Sequence, residues 1–183
     1  LLAWVTGEVT EAFRFEMDKR AQSERKRERM ESDLAAAQQV QNSLLPRSLP
    51  DVAGLEVGVK YSPAGAVGGD IYDFLSHSRD EVGFVVADVS GHSLPAALLV
   101  AAAKSALHDA ATFPPERLAS LVNARMVRDA ASDQFLTLVY ARINAGTGRV
   151  RIISAGHPPP VLFRPGLPPH PLDADGMVLG VSP

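Results

Sequence analysis

The 183-residue chain is 46% hydrophobic, with a formal net charge of -3 and a pI near 5.9. That supports one ordinary domain plus an appendage and gives no general attraction to phosphate backbones or anionic lipid, so no nucleic-acid partner is expected. With no cysteine, disulfides, thiolate metal sites and cysteine catalysis are excluded, any metal must be held by carboxylate, imidazole or carbonyl, and a reducing, cytoplasmic compartment fits.

Residues 1–5 lack the charged leader and small-residue cleavage site of a secretory signal, and both ends of the chain read as cut. From Glu8 to Leu45 there is no glycine or proline, and Pro46 stops the run; this predicts one long helix or two stacked ones over residues 1–45. Its middle balances Lys19, Arg20, Arg25, Lys26, Arg27 and Arg29 against Glu16, Asp18, Glu24, Glu28, Glu31 and Asp33, the pattern of a solvated, salt-bridged helix. Met30, Leu34, Ala37 and Leu44 recur near a 3.5-residue spacing that Gln41 interrupts. This suits either a surface helix packed on its own domain or a parallel coiled coil that makes a homodimer and relays a signal.

Beyond Pro46 the texture changes to short alternating segments punctuated by glycine and proline, which places the second domain at residues 46–183. Strands are expected at Leu55–Tyr61, Asp70–Ser76, Val82–Val89, Gln134–Ile143, Arg149–Ala155 and Pro160–Arg164. Between the third and fourth lie two helices, one capped by Ser93 and running to about Ala111, the other from Pro114 to about Ala130. The stretch Leu94–Ala103 is roughly half the length that spans a bilayer, so no membrane span is expected. Strands, two helices, then strands argue for an α+β layered fold. Phe84–Val85–Val86–Ala87 is apolar on both faces, which predicts a sheet covered on both sides.

A hairpin turn centred on Arg79 sets Asp70 opposite Asp88, both on one face and about 4.5–5.5 Å apart at Cβ. Opposed like charges are destabilising unless one takes a proton or a cation sits between them. A hard divalent ion such as Mg²⁺ or Mn²⁺ suits oxygen ligands. Gly68 and Gly69 permit close approach before the first aspartate, and Ser90–Gly91 after the second leaves the Val89 carbonyl free to coordinate. The bland alternative is that both aspartates cap neighbouring turns at strand ends.

Val67–Gly68–Gly69–Asp70 with Tyr72–Asp73–Phe74, then Ala87–Asp88–Val89–Ser90–Gly91–His92, then Ala155–Gly156–His157–Pro158–Pro159 resembles the SpoIIE/RsbU branch of the PPM-type phosphatases in order and spacing. Ala37 to Pro46 looks like that family's lead-in helix, and Gln134 to Leu138 like its central strand; the resemblance covers roughly residues 35–183. It implies an αββα sandwich preceded by the long helix, with two Mn²⁺ or Mg²⁺ ions at the sheet edge. It further implies hydrolysis of phosphoserine or phosphothreonine on a small regulatory protein, typically an anti-sigma factor antagonist, by direct attack of a metal-activated water with no covalent enzyme intermediate. Carried over by position, Asp70 and Asp88 are metal ligands and catalytic, and Val89 ligates through its carbonyl. The family supplies further metal-binding aspartates from strands near its C-terminus, before which this sequence stops at Pro183, and Gly176–Met177–Val178–Leu179–Gly180 matches the loop that precedes them. Asp173 and Asp175 are therefore not expected to be ligands, and the fragment alone is expected to be impaired.

Lesser candidates carry plainer readings beside the functional ones. His92 either contacts substrate or is a turn residue; His157 either orients a polar group or makes a structural hydrogen bond at the strand bend. Asp73 has opposite parity to Asp70 and should face away from it, toward an adjacent site or a helix. Met126 and Phe113 read as core, and Arg125 and Arg128 as solvated. The rival to a phosphatase driven by an upstream sensor domain is an inactive phosphatase-fold binding module in a partner-switching pathway; a purely structural dimerisation protein has the glycine-flanked aspartates against it.

Overall fold

The opening segment, free of glycine and proline from Glu8 onward, folds as a single helix, α1 (Leu2–Leu44), which ends just before Pro46, whose ring and missing N–H cannot continue it. The computed structural model describes residues 2–63, 65, 67–91, 94–131 and 133–182, with side chains described from residue 14 onward except at Leu94. After α1 come β1 (Asp70–Ser76), β2 (Glu81–Val89), α2 (Leu94–Asp109), α3 (Pro115–Asp129), β3 (Leu136–Asn144), β4 (Arg149–Ala155), β5 (Val161–Leu162) and β6 (His170–Pro171). The first four strands form one antiparallel sheet in sequence order, and β5 pairs with β6 separately. No described helix is long and apolar enough to cross a membrane.

Both α2 and α3 pack on one face of the four-stranded sheet. In α3 the buried side chains Leu118, Val122 and Met126 recur every four residues along one stripe, and burying each fully contributes about 1.5–3 kcal/mol. Pro115 in its first turn costs no helical hydrogen bond. Small residues of α2, Ala96 and Ala103, sit fully buried in the same core with Ile71, Leu75, Val85 and Tyr140 from the strands. Gly83 makes room for the Tyr140 ring, since a Cβ there would lie 2.4 Å from Cε2.

Four sequence expectations fail here. Residues 55–61 are extended but join no ladder; their alternation reflects half-burial, because Val57 to Ser62 lie over Tyr72, Phe74, Phe84 and Val86 and enclose with them a cavity of about 570 Å³. The sheet is not fully covered on that side. Tyr72, Phe74 and Phe84 pack edge to face, while Val86 is 48% exposed. Phe113, expected in the core, lies on the surface beneath the Arg117 guanidinium. The strand expected over Pro160–Arg164 shortens to the two residues of β5. His92 and Ser93, the proposed turn contact and helix cap, lie outside the described residues.

The end of α1 is fastened to the domain by two polar contacts. Gln41, 5% exposed, closes a two-point clamp on Gly68, donating from Nε2 to its carbonyl at 2.5 Å and accepting from its N–H at 3.0 Å. Lys104 of α2 donates to the Leu44 carbonyl and pairs with Asp73 at 2.9 Å. Gln41 is therefore a docking residue, and not merely a break in an apolar seam.

Candidate metal and phosphoryl site

The hairpin brings the two aspartates together in the expected register. Asp70 and Asp88 are direct cross-strand partners, as are Tyr72 and Val86 two residues in from the end. Alternation puts Ile71, Asp73 and Leu75 against the helices and Asp70 with Tyr72 and Phe74 on the opposite face. Burial, then the charge of Asp70, holds the Asp88 carboxyl above its usual range, with His157 opposing. Burial and a neighbouring like charge both disfavour the ionised form, as expected for two opposed carboxylates.

Gly69 fixes the third oxygen. Its carbonyl accepts the Val89 N–H at 3.0 Å, and a Cβ at residue 69 would stand 2.0 Å from the Val89 carbonyl oxygen and 2.6 Å from Asp88 Oδ1. Only glycine lets these two oxygens converge on one spot. Gly91, at φ +96, turns the chain after β2, and Ser90 secures that turn by exchanging backbone hydrogen bonds with Phe135 through both its N–H and its hydroxyl. Gly68 contributes differently, with both its backbone polar groups taken by Gln41.

Two further side chains extend the row across the sheet. Thr137 of β3 is the cross-strand partner of Asp88, and its hydroxyl lies 2.7 Å from His157 Nδ1 and 3.4 Å from the Asp88 carbonyl. Burial pushes the His157 imidazole below its usual range, while Asp88 and Asp70 pull it back up. Gly156, at φ +65, makes the bend that presents it, and the Gly156 N–H donates to the Gly176 carbonyl at 2.7 Å. Sequence reasoning named His157 but missed Thr137, which it had seen only as part of a strand.

Asp73 belongs elsewhere. It is 3% exposed on the helix side, where Lys104 and His108 of α2 both reach Oδ2, at 2.9 and 2.7 Å, and its Oδ1 accepts the Phe74 N–H at 2.8 Å. Both carboxylate oxygens have partners, so Asp73 ties β1 to α2. Asp173 lines a separate cavity with Val150, Leu162 and His170. Arg125 and Arg128 pair with Asp129 on the outer surface of α3.

Two carboxylates and a carbonyl fit a hard divalent cation, and Mg²⁺ in particular is commonly held by one or two carboxylates while keeping waters or phosphate oxygens in its other positions. Among the described residues, no third acidic, histidine or cysteine side chain joins them in a ligand cluster. Residues 78–183 match the family model described as Stage II sporulation protein E (SpoIIE). The chain belongs to the SpoIIE family. Its similarity extends to the phosphoserine phosphatase RsbU of Bacillus subtilis, 30% identical over 157 residues, covering 84% of this chain and 46% of that protein. The protein IcfG of Synechocystis sp. is 25% identical over 180 residues, covering 82% of this chain and 28% of that one. The chain thus spans less than half the length of these two relatives. Among solved structures, the SiaA-PP2C domain of Pseudomonas aeruginosa superposes with a TM-score of 0.70 at 20% identity, over 85% of this chain and 65% of that one. The RsbU and RsbW domains of a Mycobacterium tuberculosis protein give 0.58 at 24% identity, over 65% and 34%. These likenesses show the PP2C fold; among the described residues of this SpoIIE-family chain, a second sheet is limited to the β5–β6 pair.

Proposed function

We propose that the chain is the catalytic part of a divalent-metal-dependent phosphatase that removes phosphate from phosphoserine or phosphothreonine on a small regulatory protein, of the anti-sigma factor antagonist type. The observation that carries this reading is the convergence of Asp88 Oδ1 and the Val89 carbonyl on Gly69, with Asp70 directly across the ladder. Asp70, Asp88 and Val89 would hold Mg²⁺ or Mn²⁺. When bound there, such ions supply Lewis-acid activation of water and neutralise phosphoryl oxygens. The protein's own part is to hold three oxygens in place without reorganisation: β1 and β2 fix the carboxylates, Gly69 admits the carbonyl, and the half-open aromatic face leaves the pair accessible.

Control through α1 belongs to the same reading, because Gln41 grips the peptide directly before Gly69 and Lys104 links the helix end to β1. An upstream sensor domain and a homodimer through α1 complete it. The deciding measurement is phosphate release from a phosphoserine protein by the intact protein during Mn²⁺ and Mg²⁺ titration. Turnover should require metal and vanish in Asp88→Asn with the fold retained; metal-independent turnover, or full turnover in that variant, refutes the reading.

A second reading is an inactive phosphatase-fold binding module in a partner-switching pathway. It predicts tight binding of the phosphorylated partner with no phosphate released at any metal concentration.

A further inference from the structure

We propose that His157 is a catalytic residue of this reaction, the group that gives a proton to the departing serine or threonine oxygen. The proposal rests on the phosphatase reading and adds the proton that reading leaves unassigned. Asp70, Asp88 and Val89 offer only acceptor oxygens once the acids are ionised, so they cannot donate to a leaving alkoxide. An alkoxide is a poor leaving group, and a positioned proton donor typically contributes about 10²–10⁴-fold.

The geometry singles out His157. Asp70, Asp88 and Thr137 are successive cross-strand partners on β1, β2 and β3, and the imidazole continues that line, with Nδ1 anchored to the Thr137 hydroxyl at 2.7 Å. With Nδ1 occupied, Nε2 is the nitrogen left for chemistry, and a side-chain partner that fixes the ring is the usual arrangement for a histidine that moves protons. The ring also sits within the fields of both carboxylates. Its backbone is held as firmly: a Cβ on Gly156 would stand 2.3 Å from Val178 Cγ1, and Ser154 Oγ donates to the His157 carbonyl at 3.3 Å. Such a bend aims a side chain more closely than a simple strand end requires.

The step balances without a co-reactant. Water oxygen forms the new bond to phosphorus while the bond between phosphorus and the seryl oxygen breaks, its electron pair staying on that oxygen, which takes the Nε2 proton. Of the two water protons, one leaves on the hydrogenphosphate product and the other restores the imidazolium through solvent. Burial lowers the affinity of the ring for its proton, which makes the imidazolium a stronger acid, and an arriving phosphate dianion favours the charged form.

The test compares two substrates. A phosphoserine peptide expels an alkoxide that needs the proton, whereas p-nitrophenyl phosphate expels a stabilised phenolate that does not. In the intact protein, His157→Asn keeps an amide beside Thr137 and removes Nε2. It should lower kcat on the peptide by about 10²-fold or more, leave p-nitrophenyl phosphate turnover nearly unchanged, and leave the calorimetric Mg²⁺ binding isotherm unaltered. Thr137→Val, which removes only the anchor, should show the same substrate bias more weakly, and it serves if the histidine variant does not fold. Equal losses on both substrates, no loss on the peptide, or weakened Mg²⁺ binding overturns the assignment while the phosphatase reading stands. No turnover of either substrate by the unaltered protein overturns both.

Discussion

Asp88 pays a local electrostatic penalty for its place opposite Asp70. Because its carboxyl is held above the usual range by burial first and Asp70 second, the folded protein binds that proton more tightly than the unfolded chain. Stability of the metal-free protein should therefore fall as pH rises from the ordinary carboxylate value through the raised one, and the deficit is complete once pH exceeds the raised value. Asp88→Asn removes one of two opposed charges. At this partly exposed site the gain should be about 0.2–1 kcal/mol, seen as a rise of up to about 4 °C in the melting temperature of the metal-free protein at pH 7. Metal reverses the order: at Mg²⁺ a hundredfold above its Kd the native protein should gain about 2.7 kcal/mol, and the variant almost none. Calorimetry with and without Mg²⁺ across pH reads both effects; a variant that melts lower without metal contradicts them. Gly69→Ala tests the convergence from the other side. Its methyl would stand 2.0 Å from the Val89 carbonyl oxygen, so a loss of about 1–3 kcal/mol in urea denaturation and weaker Mg²⁺ binding are expected.

Contacts between elements decide what the residues alone could not. The pairing of Asp70 with Asp88 was legible because a hairpin has one turn centre and a period of two, so parity and register follow from counting. Asp73 facing the helices followed from the same count. Gln41, Lys104 and His108 were not legible as a group, since polar side chains that meet across 27 to 60 residues leave no periodic trace. Alternation over residues 55–61 misled for a related reason: it reflects the partial shielding of Leu55, Val57 and Tyr61, which a chain lying across an aromatic face provides without a hydrogen-bonded ladder. The clamp at Gln41 gives the junction its own prediction. Gln41→Ala leaves the Gly68 N–H and carbonyl without their partner, which should cost about 1–3 kcal/mol in urea denaturation. Proteolytic cleavage near residues 38–46 should accelerate beyond what that global loss explains; cleavage in step with global unfolding would place the clamp's effect in the domain alone.

At the scale of the whole molecule, α1 is out of proportion to the domain it serves. Its 43 residues extend about 65 Å at 1.5 Å per residue, yet most described residues before Gln41 are exposed, including Phe15 at 72% and Met30 at 56%. The Glu16–Arg20 and Arg27–Glu31 pairs lie on its solvated surface, where each contributes only about 0.3–0.5 kcal/mol. Helical stability normally comes from packing an apolar stripe, and Met30, Leu34 and Ala37 supply a short one that leads into the docked end. A second copy laid alongside would bury that stripe while leaving the domain fastened at Gln41 and Leu44. Deleting residues 1–33 from the intact protein should then convert a dimer to a monomer in sedimentation equilibrium and leave the thermal unfolding of the domain nearly unchanged, because nearly all described side chains from residue 14 to 33 face solvent. If the truncated protein remains dimeric, the assembly runs through the domain surface and α1 is not the dimer contact.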